Sequence, residues 1–356
     1  MRKIAFIASL LFSLQAYADS INLGDASKYN AFVKGNYKVT SSDVEGRVAV
    51  GGNLTIDGGY DIGTKINDFG MGSGPSLVVG GDINKTGPGN LNVYRSSTLP
   101  NPVLGDVVLG GTLNGGPSDI GTLTENSNNL PVDFDNAFAH LENLSNQLSQ
   151  RTAVNADASA GWKLDFKADP NNVPSDNIYV FNVSQDQLRT QWGGLRTDWH
   201  LDTTGMAADA TVVFNITNSN GTVVDFTQSN IFLNGNDPLS AYYNKGTANN
   251  KPPVQVLYNF NGASQLNLNT DLYGSILAPT ADIKANSSVI WGQVIGQSWE
   301  GNMQINYNPF DPVGSTTPVP EPATYLSFLI ALAIMLVRRK STKTTQEVVT
   351  FNTCRA

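Results

Sequence analysis

Three segments of the sequence share one pattern: residues 48–55 read VAVGGNLT, residues 77–84 read LVVGGDIN, and residues 107–114 read VVLGGTLN. Their first glycines are 29 and 30 residues apart. Apolar residues stand three and one positions before the first glycine and three after it, as in a strand with one buried side. A Gly-Gly pair permits a sharp bend between two short strands. This unit at a fixed period predicts a β-solenoid coil, with a repeated hairpin as the alternative.

A second, shorter period lies near the end of this region. Residues 274–278 (GSILA) and 292–296 (GQVIG) align at a distance of 18 residues, and residues 281–283 and 302–305 follow them. One turn of a three-faced solenoid with about six residues per face would use that length. Other β-type runs lie between the two repeat regions. They cover residues 177–183, 210–217, 222–226, 254–260 and 266–268.

Between residues 128 and 154 the period becomes helical. The apolar residues with helical spacing are Phe134, Phe138, Leu141, Leu144 and Leu148. They predict one amphipathic helix that packs on β structure, and the preceding Asp133 is expected to be its N-cap. The expected fold class is therefore all-β: an irregular β-solenoid with one long amphipathic α-helix alongside.

The composition excludes several classes of protein. With one cysteine, the chain builds neither a disulfide framework nor a cysteine zinc site. Its formal charge is -8, and removing residues 1–18 and 323–356 leaves 15 basic against 29 acidic residues, a net charge of -14. A nucleic-acid-binding protein normally carries a basic surface, so no nucleic-acid partner is expected.

The N-terminus has the order of features found in secretory signal peptides. Arg2 and Lys3 precede an apolar run at residues 4–12, and small residues, Ala16 and Ala18, occupy the positions before the expected cleavage site. Residues 1–18 are therefore predicted to be a signal peptide, and the protein is expected to be exported.

The C-terminus carries three features in a characteristic order. Pro320, Glu321 and Pro322 end a Pro/Thr linker at residues 312–322, and an apolar run at 323–337 is followed by Arg338, Arg339 and Lys340. This order resembles the PEP-CTERM sorting signal of Gram-negative, exopolysaccharide-producing bacteria. The resemblance implies an exosortase as partner and membrane attachment through 323–340 before processing. A tail at 341–356, longer than usual for such signals, follows.

The body of the chain resembles the choice-of-anchor A family. The resemblance lies in residues 23–32, 43–52, 132–134, 180–183 and 274–295. It covers residues 19–311 and implies a bacterial surface protein with an adhesive domain joined to an interchangeable C-terminal anchor. More distantly, the layout resembles ice-binding proteins, in which one long helix lies alongside an irregular solenoid.

No catalytic constellation is found in the sequence. His140 and His200 have no adjacent nucleophile motif, and Asp133 with Asp135 is explained by a helix start. Residues 70–74 (GMGSG) lack the lysine and hydroxyl of a phosphate loop and are expected to be a turn. No cofactor is expected. The loops at 171–176 and 234–237 offer oxygen ligands for a structural Ca²⁺ but match no known calcium loop.

Several aromatic residues are candidates for stacking on a sugar polymer, with core packing as the competing interpretation. They are Trp192, Trp199, Tyr242, Tyr243, Trp291 and Trp299. The leading hypothesis is a non-enzymatic adhesin at the cell surface or in the extracellular matrix, with an extracellular polysaccharide or another surface component as ligand. Ice binding is one alternative, although no aligned Thr-x-Thr ladder occurs. A glycan-active enzyme with two carboxylates is the other.

Overall fold

The coordinates are a computed structural model that describes residues 21–311 apart from positions 191, 195, 197, 208–209, 219–220, 227–229, 236–253 and 287. The chain divides into two compact units, Met1–Val313 and Gly314–Ala356, and the described residues belong to the first. They form 28 short strands, one α-helix, α1 (Phe134–Ser149), and two 3-10 helices, Gly24–Lys28 and Gln185–Leu188. The expected all-β fold with one long helix is confirmed.

The three glycine repeats are successive coils of a solenoid. Their first strands, β4 (Val48–Val50), β7 (Leu77–Val79) and β11 (Val107–Leu109), pair in parallel and in register. A parallel pair needs a connection that returns the chain to the same end, which a tight hairpin does not provide. The repeat is therefore a coil, as the sequence indicated, and the hairpin alternative is wrong.

Stacked coils build three long faces, which we call the helix face, the polar face and the acidic face. The helix face consists, in spatial order, of β14 (Leu123–Thr124), β11, β7, β4, β1 (Ala31–Val33), the first part of β27 (Val294–Gly301), the first part of β25 (Ser275–Ala285), β22 (Gln255–Asn259), β19 (Thr211–Thr217), β17 (Ile178–Ser184) and β15 (Val154–Asn155). The polar face consists of β12 (Leu113–Gly115), β8 (Ile83–Lys85), β5 (Leu54–Ile56), β2 (Tyr37–Val39), the second parts of β27 and β25, β23 (Gln265–Leu268) and β20 (Val223–Phe226).

The acidic face consists of β10 (Val103–Leu104), β13 (Ser118–Asp119), β9 (Leu91–Ser96), β6 (Tyr60–Ile62), β3 (Ser42–Val44), β28 (Gln304–Asn306), β26 (Val289–Trp291) and β24 (Leu272–Tyr273). On this face β10 is antiparallel to β9, whereas the other pairs are parallel. A separate parallel sheet of three strands completes the described part. It consists of β16 (Lys163–Lys167), β18 (Asp198–Asp202) and β21 (Asn230–Leu233).

The two ends of the described chain meet in the middle of the stack. Strand β1 pairs with β4 on one side and with β27 on the other, so the coils before α1 continue the stack of the coils after it. The predicted 18-residue period is confirmed, because Leu272 lies beside Ile290 and Ile276 beside Val294.

The 18-residue offset between β25 and β27 does not continue beyond Ala278. A register shift within β25 places Ile283 opposite Trp299, at an offset of 16 residues. Ile305 lies on the acidic face, where it pairs with Ile290 and Val44. The two extra residues at the corner of β25 therefore break the sequence period without breaking the stack.

Helix α1 covers the helix face. Its N-cap is Asp133, as predicted, whose carboxylate accepts the N–H of Asn136 at 3.1 Å. The buried helix residues, Phe138, Leu141, Leu144 and Leu148, form one apolar cluster with outward-pointing residues of the helix face. Phe32 of β1 stacks on Phe138 at a ring distance of 5.3 Å. The cluster between α1 and the sheet is a second hydrophobic core, outside the solenoid interior. It exists because the strands of the helix face carry apolar side chains on both sides.

Buried amides also tie α1 to the sheet. The Ser145 hydroxyl donates to Oδ1 of Asn259 at 2.6 Å, and Nδ2 of Asn259 donates to the Ser145 carbonyl at 3.0 Å. The same Nδ2 reaches Oδ1 of Asn215, whose own Nδ2 donates to the Leu148 carbonyl. These bonds provide hydrogen-bond partners for polar groups that are buried away from water.

The paired glycines are required for space. A Cβ built on Gly80 would lie 2.1 Å from the Gly51 carbonyl oxygen of the neighbouring coil, and one on Gly110 would lie 2.2 Å from that of Gly80. None of these three glycines has a positive φ. The chain does bend at each Gly-Gly pair, as the sequence indicated, but without left-handed backbone, so the bend by itself does not require glycine. The role of these glycines is to let two backbones approach more closely than any side chain allows.

A side-chain ladder follows the glycines at the same corner. Oδ1 of Asn36 accepts the Asn53 N–H at 2.9 Å, Oδ1 of Asn53 accepts the Asp82 N–H at 2.8 Å, and Oδ1 of Asp82 accepts the Thr112 N–H at 2.8 Å. Each coil thus supplies the acceptor for a backbone donor of the next. The residue after each Gly-Gly pair fixes the coil spacing.

The close contact at Gly80 makes a testable prediction for stability. We expect Gly80→Ala to lower the free energy of unfolding by about 3 kcal/mol, because the new methyl group meets a backbone oxygen that cannot rotate away. Gly59→Ala is the matched control: its nearest atoms lie 3.9 and 4.0 Å from the added Cβ. That control should change stability by less than about 1 kcal/mol. Denaturant unfolding of both variants measures this, and equal losses would contradict the proposed contact.

Candidate functional site

The polar face presents one continuous rank of outward side chains. The rank contains, in spatial order, Asp225, Asn267, Lys284, Glu300, Lys38, Thr55, Asn84 and Asn114. Their strand neighbours point inward and are mostly buried, so strand alternation places the eight residues on the open side. Sequence reasoning missed this rank because its members come from both halves of the chain.

Contacts within the rank hold it in place. Nδ2 of Asn267 donates to Oδ1 of Asp225 at 2.7 Å, and Lys38 Nζ donates to Oε1 of Glu300 at 2.9 Å. The ion pair raises the pKa of Lys38 and lowers the pKa of Glu300, in each case chiefly through the hydrogen bond between the two side chains. Both side chains are more than half exposed, so solvent screens the pair and it contributes little to the stability of the fold.

The acidic face carries a second rank of polar side chains. Asp43, Asp61, Asn92 and Asp119 are in register across β3, β6, β9 and β13. Gln304 Nε2 donates to Asp43 at 3.3 Å, and Asn92 Nδ2 donates to Asp61 at 2.7 Å. Burial, assisted by the nearby carboxylates of Glu45 and Asp61, raises the pKa of Asp43 to about 6.

The structure separates the candidate tryptophans into two groups. Trp199 and Trp299 are 0 and 1% exposed, and Trp291 is also buried, so core packing is the correct interpretation for these three. Trp192 is 81% exposed. Tyr242 and Tyr243 lie outside the described residues. Trp162, which sequence reasoning did not select, is 58% exposed.

Neither histidine lies in a catalytic arrangement. His140 is on the exposed side of α1, where Nε2 contacts the Asn22 carbonyl at 2.7 Å. His200 packs between the rings of Trp162 and Phe232, at centroid distances of 5.8 and 4.8 Å. Asp133 is occupied by capping α1, so the Asp133 and Asp135 pair has the structural role that the sequence predicted.

The backbone carbonyls of the glycine-rich segment 70–74 accept hydrogen bonds from two arginine side chains of the protein. The Arg47 guanidinium donates to the carbonyls of Met71, Gly72 and Ser73, and Arg95 donates to those of Gly72 and Gly74. A phosphate loop directs N–H groups at its ligand. This segment directs carbonyl oxygens at two arginines instead, so its polarity is opposite to that of a phosphate site.

The two loops considered for calcium offer no ligand cluster in the described part of the chain. Residues 21–311, with their gaps, contain no group of three or more His, Cys, Asp or Glu side chains arranged to hold a metal ion. In the loop at 171–176, Asp176 forms an ion pair with Arg151. Of the loop at 234–237, only Asn234 and Gly235 are described.

The sequence signals at both ends lie outside the described residues. These are Ala16 and Ala18 of the signal peptide, Pro320, Glu321 and Pro322 of the sorting motif, and Arg338, Arg339 and Lys340 of the basic cluster. The apolar run at 323–337 is also outside. Within the residues that are described, no helix has the length and hydrophobicity to cross a membrane.

Comparison with protein families identifies the family of the solenoid. Residues 22–307 match the family described as "Putative Ice-binding-like adhesive domain". The chain belongs to this family. The match covers nearly the whole described solenoid, including α1 and both open faces. A search of curated proteins gave no match.

Several solved structures with some similarity to the chain are described as ice-binding proteins. One, from the Antarctic ascomycete Antarctomyces psychrotrophicus, has 14% identity over 82% of this chain and 99% of its own, with a TM-score of 0.36. The ice-binding protein_1 DUF3494 domain of Shewanella frigidimarina has 11% identity over 81% and 96%, with a TM-score of 0.34. An ice-binding protein from an Antarctic biological consortium has 14% identity over 83% and 94%, with a TM-score of 0.27. The solenoid fold itself is established by the described strands.

The raised pKa of Asp43 predicts a pH-dependent loss of stability. The folded carboxyl group binds its proton more tightly than the unfolded one, whose pKa is 3.8. The folded state therefore holds more protons between these values, and stability falls as the pH rises through about 4 to 6. Asp43→Asn keeps an acceptor for Gln304, so it should raise the Tm by a few degrees above about pH 6 and lose that gain near pH 4.

Asp135→Asn is the control for a general decrease in negative charge. Asp135 is exposed in the first turn of α1, where a carboxylate interacts favourably with the helix N-terminus. Its removal should lower the Tm slightly. Thermal unfolding across this pH range compares the two, and an equal rise in both variants would mean that net charge, and not burial of Asp43, is responsible.

Proposed function

We propose that the protein is a non-enzymatic, exported surface or matrix protein whose solenoid is an adhesive domain, associated with biofilm or exopolysaccharide. The observation that supports this best is the rank of eight outward side chains on the polar face. These residues offer both donors and acceptors at the strand spacing of about 4.8 Å. A repeating ligand can meet several such groups at once, so weak single contacts add up to firm attachment.

The proposal includes the export and anchoring that the chain ends predict. Residues 1–18 would direct export, and cleavage would follow Ala18. As in choice-of-anchor A proteins, the solenoid would be joined to an exchangeable anchor, here a PEP-CTERM signal read by an exosortase. The protein would then reside at the surface of a Gram-negative bacterium or in its matrix, held at the membrane through residues 323–340 until processing.

Ice binding is the second candidate function, because the family description names ice-binding-like domains. The two open faces argue against it. An ice-binding face of this type needs ranks of small side chains with few charges, whereas the polar face includes Lys38, Lys284 and Glu300. Charged groups retain strongly bound water that does not fit a regular lattice. Adhesion therefore agrees better with the exposed chemistry.

An enzyme acting on glycans is the least supported function. A depression on the polar face is lined by two carboxylates, Asp282 and Glu300, and such chemistry uses a carboxylate pair on either side of the scissile bond. A general acid must have a raised pKa, yet the Lys38 contact lowers that of Glu300. The Asp282 carboxylate accepts a hydrogen bond from the Ser298 hydroxyl at 2.6 Å.

Attachment to the producing cells tests the adhesive function. We expect the purified exported chain to bind cells and extracted exopolysaccharide. A triple variant, Lys38→Ala with Asn84→Ala and Asn114→Ala, should bind about tenfold more weakly, since each lost hydrogen bond contributes about 0.5 kcal/mol. The control, Asn143→Ala with Gln147→Ala on the exposed side of α1, should bind as well as the parent chain.

Two results would contradict the adhesive function. One is a lack of binding to cells and polysaccharide at every salt concentration. The other is thermal hysteresis with ice-crystal shaping that the triple variant abolishes, because this would assign the polar face to ice.

Mass spectrometry of the C-terminus in the native host tests the anchoring proposal. Processing by an exosortase should give a mature terminus near residues 320–322, and a strain without the exosortase should retain Ala356. An intact Ala356 in the parent strain would contradict processing and make the protein a permanently membrane-tethered one.

A further inference from the structure

The outer side of the three-stranded sheet formed by β16, β18 and β21 carries an aromatic surface, separate from the polar and acidic faces. Strand register places Asp165, His200 and Phe232 in one rank across the three strands. The neighbours of this rank along β16 and β18 are buried. They are Leu164, Phe166, Trp199 and Leu201. Strand alternation therefore directs the rank outward.

Two tryptophans border this rank. Trp162, directly before β16, contacts the His200 ring edge-on at 5.8 Å. Trp192 lies over Gly161, since a Cβ on that glycine would be 3.6 Å from Cζ3 of the indole. We call Trp162, Trp192, His200 and Phe232 the aromatic platform. Its two indoles are 58 and 81% exposed, and they are the aromatic residues among the exposed large hydrophobics of the described chain.

An ordinary structural role does not account for this exposure. The buried Trp199 lies in a cluster of rings with Phe166 and Phe214, at centroid distances of 4.9 Å each. Trp162 and Trp192 add nothing to that cluster, and they leave large apolar faces in water at a cost in free energy. Tryptophan exposed beside polar groups is the composition typical of a binding surface.

Charges around the platform comprise two ion pairs and two further carboxylates, Asp157 and Asp198. Lys163 Nζ lies 2.6 Å from Asp165 Oδ1 and 5.6 Å from the centre of the Trp162 ring, and Lys167 lies 3.5 Å from Asp202. These pairs provide hydrogen-bond donors and acceptors, and the carboxylates of Asp157 and Asp198 add negative charge beside them. The exported chain as a whole carries a net charge of -14. The electrostatics therefore disfavour an anionic polymer and suit an uncharged one rich in hydroxyl groups.

From these observations we infer that the aromatic platform is a binding site for a neutral polysaccharide of pyranose sugars. The C–H face of a sugar ring would stack on the Trp162 and Trp192 indoles, and its hydroxyls would bond the Lys163 and Asp165 pair. The inference deepens the proposed adhesive function by naming a ligand class and a second surface. It does not depend on the polar face.

Affinity electrophoresis of the full chain in native gels tests the site. The probes are a soluble β-1,4-glucan, a soluble β-1,3-glucan and starch, with alginate as the anionic comparison. We expect at least one neutral polymer to retard the parent chain and alginate to leave it unretarded. Trp162→Ala and Trp192→Ala should each weaken binding about three- to tenfold, and the double variant should bind below detection.

Leu99→Ala is the matched control, because Leu99 is also 80% exposed but lies far along the sequence in the coils before α1. It should leave retardation unchanged. Tryptophan fluorescence gives a second readout: the neutral polymer should shift the emission of the parent chain, and the shift should be lost in the double variant. Unchanged Tm values would show that both variants are folded.

Retardation by no neutral polymer, equal retardation by alginate, or full retardation of the double variant would each overturn the inference. Cell attachment measured in parallel separates this outcome from failure of the proposed function. Attachment without polysaccharide binding overturns the platform alone. Retardation by a neutral probe polymer, with binding neither to cells nor to extracted exopolysaccharide, supports the platform and overturns the adhesive function.

Discussion

The close approach of successive backbones at one corner is the constraint on which the solenoid depends. Gly51, Gly80 and Gly110 lie against carbonyl oxygens of neighbouring coils at a distance that no Cβ could share. Immediately afterwards, Asn53 and Asp82 accept the N–H groups of the next coil. Parallel strands need long connections, and each such connection could set a different spacing. The glycine contact and the Asx ladder impose one spacing on the coils before α1.

That fixed spacing allows the two halves of the chain to form one stack. Strand β1 has β4 on one side and β27 on the other, so residues far apart in the sequence become direct neighbours. The helix face then becomes a wide apolar surface that cannot be left in water. Helix α1 covers it, and the buried amides of Asn215 and Asn259 fix the helix in position. The covered face contributes to stability, and the remaining faces are free to bind.

The open surfaces differ in their chemistry because different residue types occupy the outward positions of the strands. The polar face carries paired charges and amides, the acidic face carries aspartates, and the three-stranded sheet carries aromatic rings beside ion pairs. Each surface is held by strands on a packed core, so its side chains are presented in a regular array. Such arrays are better suited to extended, repeating ligands than to a small molecule enclosed in a pocket. The family affiliation agrees with this architecture.

Sequence alone predicted the repeated strand unit, the helix and its cap, because hydrophobic period and capping chemistry are local properties. The parallel pairing of β4, β7 and β11 was needed to decide for the coil against the hairpin. The 18-residue period was also predicted, but the register shift in β25 was not, since two extra residues at a corner leave the hydrophobic pattern unchanged. Only the structure shows that Lys85 is buried and that its ammonium group donates to the Thr86 and Gly87 carbonyls.

Tertiary structure alone decided which residues form surfaces. No feature of the sequence distinguishes Trp199 from Trp192, but Trp199 is buried in the core and Trp192 is exposed to solvent. Likewise, Lys38 meets Glu300 because the first and last coils stack, and the sequence contains no local signal of that neighbourhood. Local periodicity fixes which side of a strand is buried. The identity of the neighbour across the strand depends on how distant coils come together.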